Sequence, residues 1–370
     1  MPLLAVDLLS FTGTKGGMET YTRELYRAIG PQAAEFDLVG LASTEAVQGD
    51  LSWFPGEIVS TGISGENRFV WAAGELWRIA AIAKRNRADI IHAPATLGPA
   101  RTTLPLVVTM HDLLYWSHPE LMSTPFYTAP VKWMERQVAR AASRIITISE
   151  VSKAEIVKYL GTSPEAVDVI PLAASAPWTA TREPDLDDPF ILATGNRRPH
   201  KNYDGLIRAL ALVEERVRPR LVVTGSHGLD DPLRAVVAEL GLERFVELRS
   251  WLSPEELGEL YRTTTALAVP SFAEGFSLPP LEAMLSGVPV LVSDIDVHRE
   301  VCGDAALFVD PHDLASIAAG LRTLATDTTE VTRLTERGRA RAATFSWAST
   351  AERTLDAFRA ALDPTASRPR

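Results

Sequence analysis

The stretch Glu274-Gly275-Phe276-Ser277-Leu278-Pro279-Pro280-Leu281-Glu282 decides how this chain is read. It leaves a short apolar run at 266–270 and enters a helical pattern. Pro279 and Pro280 suit the first helical positions, where a missing N–H costs nothing. The amides of Gly275, Phe276, Ser277 and Leu278 are then left to face a ligand at the positive end of a helix dipole. Glu274 and Glu282, eight positions apart, flank the turn. An anion fits against such amides, and carboxylates beside it suit the hydroxyls of a sugar or ribose.

Outward from this turn, short apolar runs alternate with helical patterns along the whole chain, which predicts an α/β protein built on parallel sheets. In the first half the strand candidates are 3–8, 36–41, 89–93, 106–110, 144–148 and 167–170, with helical patterns at 19–29, 69–85 and 127–142 between them. The segment 173–189, with three prolines and several charges, reads as a linker. The alternation restarts with strands at 190–194, 220–224, 245–249, 266–270, 288–293 and 306–309, and ends in a helix at 347–362 and a polar tail at 363–370. The expectation is two Rossmann-like domains, 1–172 and 190–346, facing each other across a ligand-binding cleft.

Composition narrows the function classes. The 370 residues suit two domains of roughly 150 residues each. A net charge of −10 without a long Lys/Arg block argues against a nucleic-acid partner. One cysteine, Cys302, excludes an intramolecular disulfide framework and a Cys-rich metal site. No run approaches the ~18 apolar residues of a membrane span, and the start lacks a secretory-signal pattern, so a cytoplasmic protein is expected.

Four further clusters carry chemistry. Gly13-Thr14-Lys15-Gly16-Gly17-Met18-Glu19 follows the first strand and opens a helix, where Gly16 and Gly17 allow close backbone approach to a ligand; a plain strand-to-helix turn is the bland reading. His111-Asp112 ends the apolar run 106–110 at the expected cleft edge, where the histidine can meet a sugar hydroxyl or phosphate and the carboxylate can set its tautomer. Gly195-Asn196-Arg197-Arg198-Pro199-His200-Lys201-Asn202 follows the first strand of the second half and forms a candidate diphosphate clamp. Asp294-Ile295-Asp296 resembles a metal-binding pair but reads better as helix capping, so no metal site is assigned. Lys132, Arg136 and Arg140 at i, i+4 spacing form a stripe that could touch anionic lipid, though a solvated helix face is the simpler reading. Trp71, Trp77, Tyr115 and Trp116 are sugar-stacking candidates, or core.

Taken together, the blocks GGMETYTREL, VVTMHDLLYWSHPE, TGNRRPHKN, WLSPEELGELY and AVPSFAEGFSLPPLEAMLSGVPVLVSDIDVHREV resemble the retaining glycosyltransferases of family 4. The last carries the family's Glu-x7-Glu pattern. The resemblance implies the two-domain GT-B fold, with an acceptor-binding first domain, a nucleotide-sugar-binding second domain and the helix 347–362 packing back on the first. It implies that Gly16 and Gly17 admit the donor phosphate and that His111 meets the donor sugar. Lys201, with Arg197 or Arg198, neutralises the diphosphate; Glu274 contacts the sugar and Glu282 the ribose. The amides of Gly275 to Leu278 hold sugar and phosphate, and the loop to Ser253 meets the base mostly through its backbone. His200 stands where the family has Arg before the clamp lysine, leaving Arg197, Arg198 and His200 open as the second phosphate contact.

The expected activity is therefore metal-independent, retaining transfer of a hexosyl group, with a mannose-type lean, from a GDP-, UDP- or dTDP-sugar to a glycan, lipid-linked or small-molecule acceptor. No cofactor is expected beyond this co-substrate, and membrane contact is peripheral at most. A nucleotide-sugar epimerase or phosphorylase on the same fold, or an inactive scaffold, are the alternatives. An epimerase or phosphorylase would need a base or cofactor lysine that no motif supplies, and a scaffold would be expected to have lost Lys201, Glu274 or Glu282.

Overall fold

A computed structural model describes the chain apart from residues 14–15, 34, 123–124, 176–183, 185–188, 226–230 and 364–370 and the side chains of 125–127. Most of the expected linker and nearly all of the tail lie outside the described residues. The chain divides into two compact units, one of Met1–Pro119, Ser123–Leu172 and Ser346–Arg370, the other of Glu120–Met122 and Ala173–Phe345.

The first unit holds seven parallel strands: β1 (Leu3–Leu8), β2 (Asp37–Ala42), β3 (Glu57–Ser60), β4 (Ile90–Ala93), β5 (Leu106–Thr109), β6 (Arg144–Thr147) and β7 (Val167–Val169), in the order β3-β2-β1-β4-β5-β6-β7. The inner strands β4 and β5 are buried throughout, as expected of a parallel sheet covered on both faces. β3 was not foreseen: its four residues, Glu-Ile-Val-Ser, are half-exposed at the sheet edge and form no apolar run. The helix expected over 69–85 is interrupted by a π-helical turn at Gly74–Arg78. There Glu75 is buried, and its Oε1 accepts from Trp71 Nε1 at 2.7 Å. The helix Trp347–Leu362 belongs to this unit. Ser346 caps it, Thr350 Oγ1 donates to the Pro171 carbonyl at 2.8 Å, and buried Phe358 packs edge-on against Phe36.

The second unit holds β8 (Phe190–Ala193), β9 (Arg220–Val223), β10 (Val246–Leu248), β11 (Ala266–Val269), β12 (Val290–Ser293) and β13 (Leu307–Val309), all parallel, in the order β10-β9-β8-β11-β12-β13. The order reverses between β8 and β11, so the loops leaving these two strands diverge to opposite faces and open a crevice at their carboxyl ends. Gly195 (φ 125°) and Gly225 (φ 109°) let the loops after β8 and β9 meet, since a Cβ on Gly225 would stand 2.0 Å from the Gly195 carbonyl oxygen.

Among the described residues no helix is long and apolar enough to cross a membrane. The basic stripe on the helix Pro125–Ala141 is partly spent on an aromatic contact: Lys132 Nζ and the Arg136 guanidinium lie 5.2 and 4.8 Å from the Trp116 ring centre. Trp116 also donates to Glu135 and stacks on Tyr159, which makes it part of the packing rather than an open sugar platform.

Candidate active site

In the second unit the crevice brings the clamp lysine and the first carboxylate together. Residues Pro199–Lys201 form a 3-10 turn, and Asn202 then takes a left-handed conformation (φ 56°, ψ 35°) to start the helix Tyr203–Leu212. Asn202 Nδ2 donates to the Pro270 carbonyl at 3.1 Å and the Pro311 carbonyl at 2.9 Å, tying the loops after β8, β11 and β13. Gly205 is required beneath it, because a Cβ there would come 2.3 Å from Asn202 Oδ1.

With the loops fixed, Lys201 Nζ donates to Glu274 Oε1 at 2.7 Å, and Ser271 Oγ donates to the same oxygen at 2.7 Å. Burial alone would push the Glu274 carboxyl up, but Lys201, His298 and Ser271 more than offset it and hold the group below the usual carboxylate range. Oε1 carries both bonds, and Oε2 has no partner among the described residues.

The helix Leu278–Leu285 begins beside this pair with Pro279 and Pro280 in its first turn. Its N-cap, Ser277, is held at φ 74°, a conformation that L side chains rarely adopt. Ser277 makes no side-chain cap, and its buried Oγ has no partner among the described residues. Glu282, one turn into the helix, is partly buried; loss of water pushes its carboxyl up to about 7, against the lowering effect of a hydrogen bond from Tyr261.

The two adjacent arginines separate. Arg197 is a correction to the expected clamp: its guanidinium is ion-paired with Asp231, with side-chain exposures of 5% and 3%, and also donates to the carbonyls of Val223 and Arg249. The strand ends of β9 and β10 supply acceptors that hold it away from solvent. Arg198 is exposed, and among the described residues it has no ion-pair partner. His200 is buried, and its carbonyl accepts from the Phe272 amide at 2.7 Å. Lys201 and Arg198 are the cations left for an anion.

Ser253 caps the helix Pro254–Thr263 in a capping box: its hydroxyl accepts from the Glu256 amide at 3.2 Å and its own amide donates to Glu256 Oε2 at 2.7 Å. Its polar side-chain and amide groups are thus committed, while Trp251 next to it is exposed. The capping expected of Asp294–Asp296 is replaced by another structural role: the cap position is Ile295, and Asp294 is gripped by Arg299 at 2.7 and 2.8 Å.

In the first unit, Gly16 precedes the helix Gly17–Ile29 at φ 67°, ψ −128°, a conformation open to glycine, and a Cβ on Gly16 or Gly17 would meet nothing within 4 Å. Glu19, which the motif contains but to which no role was given, latches the loop: its Oε1 accepts from the amides of Thr12 at 2.6 Å and Gly13 at 3.0 Å. His111 is buried, its ring edge-on to Tyr21, and its Nε2 faces the Pro94 carbonyl at 2.9 Å. A carbonyl only accepts, so Nε2 carries the hydrogen and Nδ1 presents a lone pair. Pro94, not Asp112, therefore sets the tautomer; Asp112 Oδ1 accepts from the Leu114 amide at 3.1 Å.

Comparison with known proteins adds to this geometry. Residues 15–174 match the model described as Glycosyltransferase Family 4, and residues 178–341 that described as Glycosyl transferases group 1. The MMP alpha-(1->4)-mannosyltransferase of Mycolicibacterium hassiacum is 30% identical over 302 residues, spanning 75% of this chain and 72% of that protein. The chain is a family 4 glycosyltransferase. The O-antigen chain mannosyltransferase B of Escherichia coli is 31% identical to this transferase over 287 residues, spanning 73% of this chain and 74% of that protein. The crystal structure of Anabaena HepE in complex with UDP-glucose superposes on this transferase with a TM-score of 0.74 at 18% identity, covering 97% of this chain and 99% of that one, and it shows the shared fold. The two parallel-sheet units are the architecture expected of GT-B.

Proposed function

We propose that this glycosyltransferase moves a hexosyl group, with a mannose-type preference, from a nucleotide-diphosphate sugar to a glycan, lipid-linked or small-molecule acceptor with retention of anomeric configuration. The observation that carries the reading is the Lys201–Glu274 pair at 2.7 Å beside the helix N-terminus at Ser277. The mannosyltransferase names of both relatives support the sugar, and the UDP-glucose bound by HepE supports the donor class.

In this reading Lys201 and Arg198 take the diphosphate, where negative charge grows as the leaving group departs, and the free amides at the start of Leu278–Leu285 add their dipoles. A preorganised donor of this kind is worth roughly 3 kcal/mol in the transition state. Glu274 Oε2 accepts a sugar hydroxyl and offsets positive charge on the ring, while Glu282 meets the ribose hydroxyls. His111 Nδ1 accepts from the donor sugar. Attack comes from the leaving-group face without a protein nucleophile. The reading includes no metal; of the Asp294–Asp296 pair, Asp294 has both carboxylate oxygens held by Arg299.

The test is nucleoside diphosphate release from GDP-, UDP- and dTDP-sugars without acceptor and with EDTA present, followed by NMR of the anomeric configuration once an acceptor is found. Slow release from one donor that survives chelation supports the reading. Release abolished by EDTA, or an inverted product, overturns the metal-independent retaining form.

A further inference from the structure

The first unit holds a line of buried polar groups to which the donor reading gives no role. Tyr21 and Tyr26, both on the helix Gly17–Ile29, are buried. Tyr26 Oη lies 2.6 Å from Nδ1 of His92 on β4. His92 Nε2 lies 3.0 Å from Thr109 Oγ1 at the end of β5, and Tyr21 Oη lies 3.1 Å from the same oxygen. His92 and Thr109 are fully buried, so these bonds are made where water cannot replace them. A neutral imidazole donates from one nitrogen and accepts at the other, which suits a ring placed between two hydroxyls. The helix is thereby stitched to β4 through Tyr26 and to β5 through Tyr21.

This line ends against His111. The Tyr21 ring meets the His111 ring at a centroid distance of 4.8 Å and an interplanar angle of 87°. Trp347, which opens the helix Trp347–Leu362, packs against Tyr21 as well, at 6.3 Å. Among the described residues the His111 ring has one hydrogen bond, from Nε2 to the Pro94 carbonyl. A single bond fixes the position of Nε2 and leaves the tilt of the ring, and with it the direction of Nδ1, to the neighbour it packs against.

We propose that Tyr21 is a positioning residue for His111: its ring sets the direction in which Nδ1 presents a lone pair to the donor sugar, and its hydroxyl bond to Thr109 keeps that ring in place. Tyr26 and His92 serve the same end at a distance, because they fix the helix that carries Tyr21. That helix starts at Gly17 with Gly16 as its cap, so one set of buried bonds ties the glycine turn and His111 to a common frame. In this role Tyr21 touches no donor atom and acts only through His111. The inference rests on the reading of His111 as a contact of the donor sugar, and it requires the two residues to be energetically coupled.

The experiment is a double-mutant cycle on acceptor-independent release of nucleoside diphosphate from GDP-, UDP- and dTDP-sugars by the full chain, with rates counted per folded molecule. Tyr21→Leu removes the ring and is expected to slow release by about tenfold through lost alignment. Tyr21→Phe keeps the ring and loses one hydrogen bond, so about a threefold loss is expected. His111→Ala slows release more than either, and in its background both Tyr21 substitutions are expected to have no further effect. Affinity for GDP, UDP and dTDP, which lack the transferred sugar, is expected to stay within about twofold of wild type in every variant, so that the loss falls on the rate and not on nucleotide binding. Should Tyr21→Leu not fold, the phenylalanine variant carries the same comparison. Tyr21 effects that persist undiminished in the His111→Ala background, or a leucine variant at the wild-type rate, overturn the role of Tyr21 while leaving the donor reading intact. His111→Ala at the wild-type rate overturns the reading of His111 and this inference with it. No release from any donor by wild type overturns the donor reading and both residues' roles.

Discussion

Substituting Arg197 by methionine separates a structural cation from a catalytic one, and its effect can be worked out from the contacts. Arg197 and Asp231 are almost wholly buried against each other. Removing the guanidinium leaves Asp231 charged and enclosed and strips the Arg249 carbonyl of a donor, whereas the Val223 carbonyl keeps the Arg249 amide at 2.8 Å. Breaking a buried pair by deleting one partner costs about 3–5 kcal/mol. For a unit of this size each kcal/mol moves the melting temperature by roughly 2–4 °C, so Arg197→Met is expected to lower it by about 10 °C. Adding Asp231→Asn removes the stranded charge while keeping an acceptor for the Leu233 amide, bonded at 3.1 Å, and is expected to recover more than half the loss. Arg198→Met should leave the melting temperature within about 1 °C, since an exposed side chain is lost, and slow donor cleavage by about 10²-fold. Thermal unfolding by circular dichroism, paired with release rates per folded molecule, reads both effects. An Arg197→Met protein with wild-type stability and strongly slowed cleavage would refute this division of labour.

Other outcomes follow from the same contacts. Glu282→Gln is expected to stabilise the protein by about 2 kcal/mol at pH 8 and not at pH 4. The wild-type carboxyl, pushed up to about 7, is ionised at a cost above that value and neutral below the unfolded value near 4.5. Melting temperatures at the two pH values check the sign. Asn202→Ala removes two loop-bridging hydrogen bonds and forces alanine into a left-handed conformation, so a loss of about 2–3 kcal/mol is expected, with Asn202→Gly losing less, by chemical denaturation. Gly16→Ala strains the first-unit loop by roughly 1–3 kcal/mol without a clash, and should weaken donor binding in titration while leaving overall folding cooperative.

The fold class was legible because almost every inner strand is a short apolar run between helical patterns. β1 was read to the residue, while the ends of β10 and β12 shrank where the ladder stops before the apolar run does. What escaped depends on the third dimension. β3 is an edge strand with little apolar surface, and the π-helical turn Gly74–Arg78, which buries Glu75, breaks a pattern that reads as one continuous helix. At the site, the types Lys, Arg and Glu were readable, but Lys201 and Glu274 are 73 positions apart and only the topology joins them. Arg197 and Arg198 look alike in sequence; the strand-end carbonyls and Asp231 claim one and leave the other. Glu19 could have been given its role from its place at the helix start, where an acidic side chain can reach back to loop amides. Asn202 carries no such signal, since its partners come from other loops.

The central claim is that Lys201 and Glu274 form the reaction centre on a nucleotide-sugar donor. Its most direct test is the acceptor-independent release of nucleoside diphosphate by wild type and by Glu274→Gln, with donor affinity measured in parallel. The account predicts that the glutamine variant binds the nucleotide within a few-fold of wild type while release falls by about 10²–10³-fold. Release at the wild-type rate by Glu274→Gln, with the donor bound equally well, would contradict it.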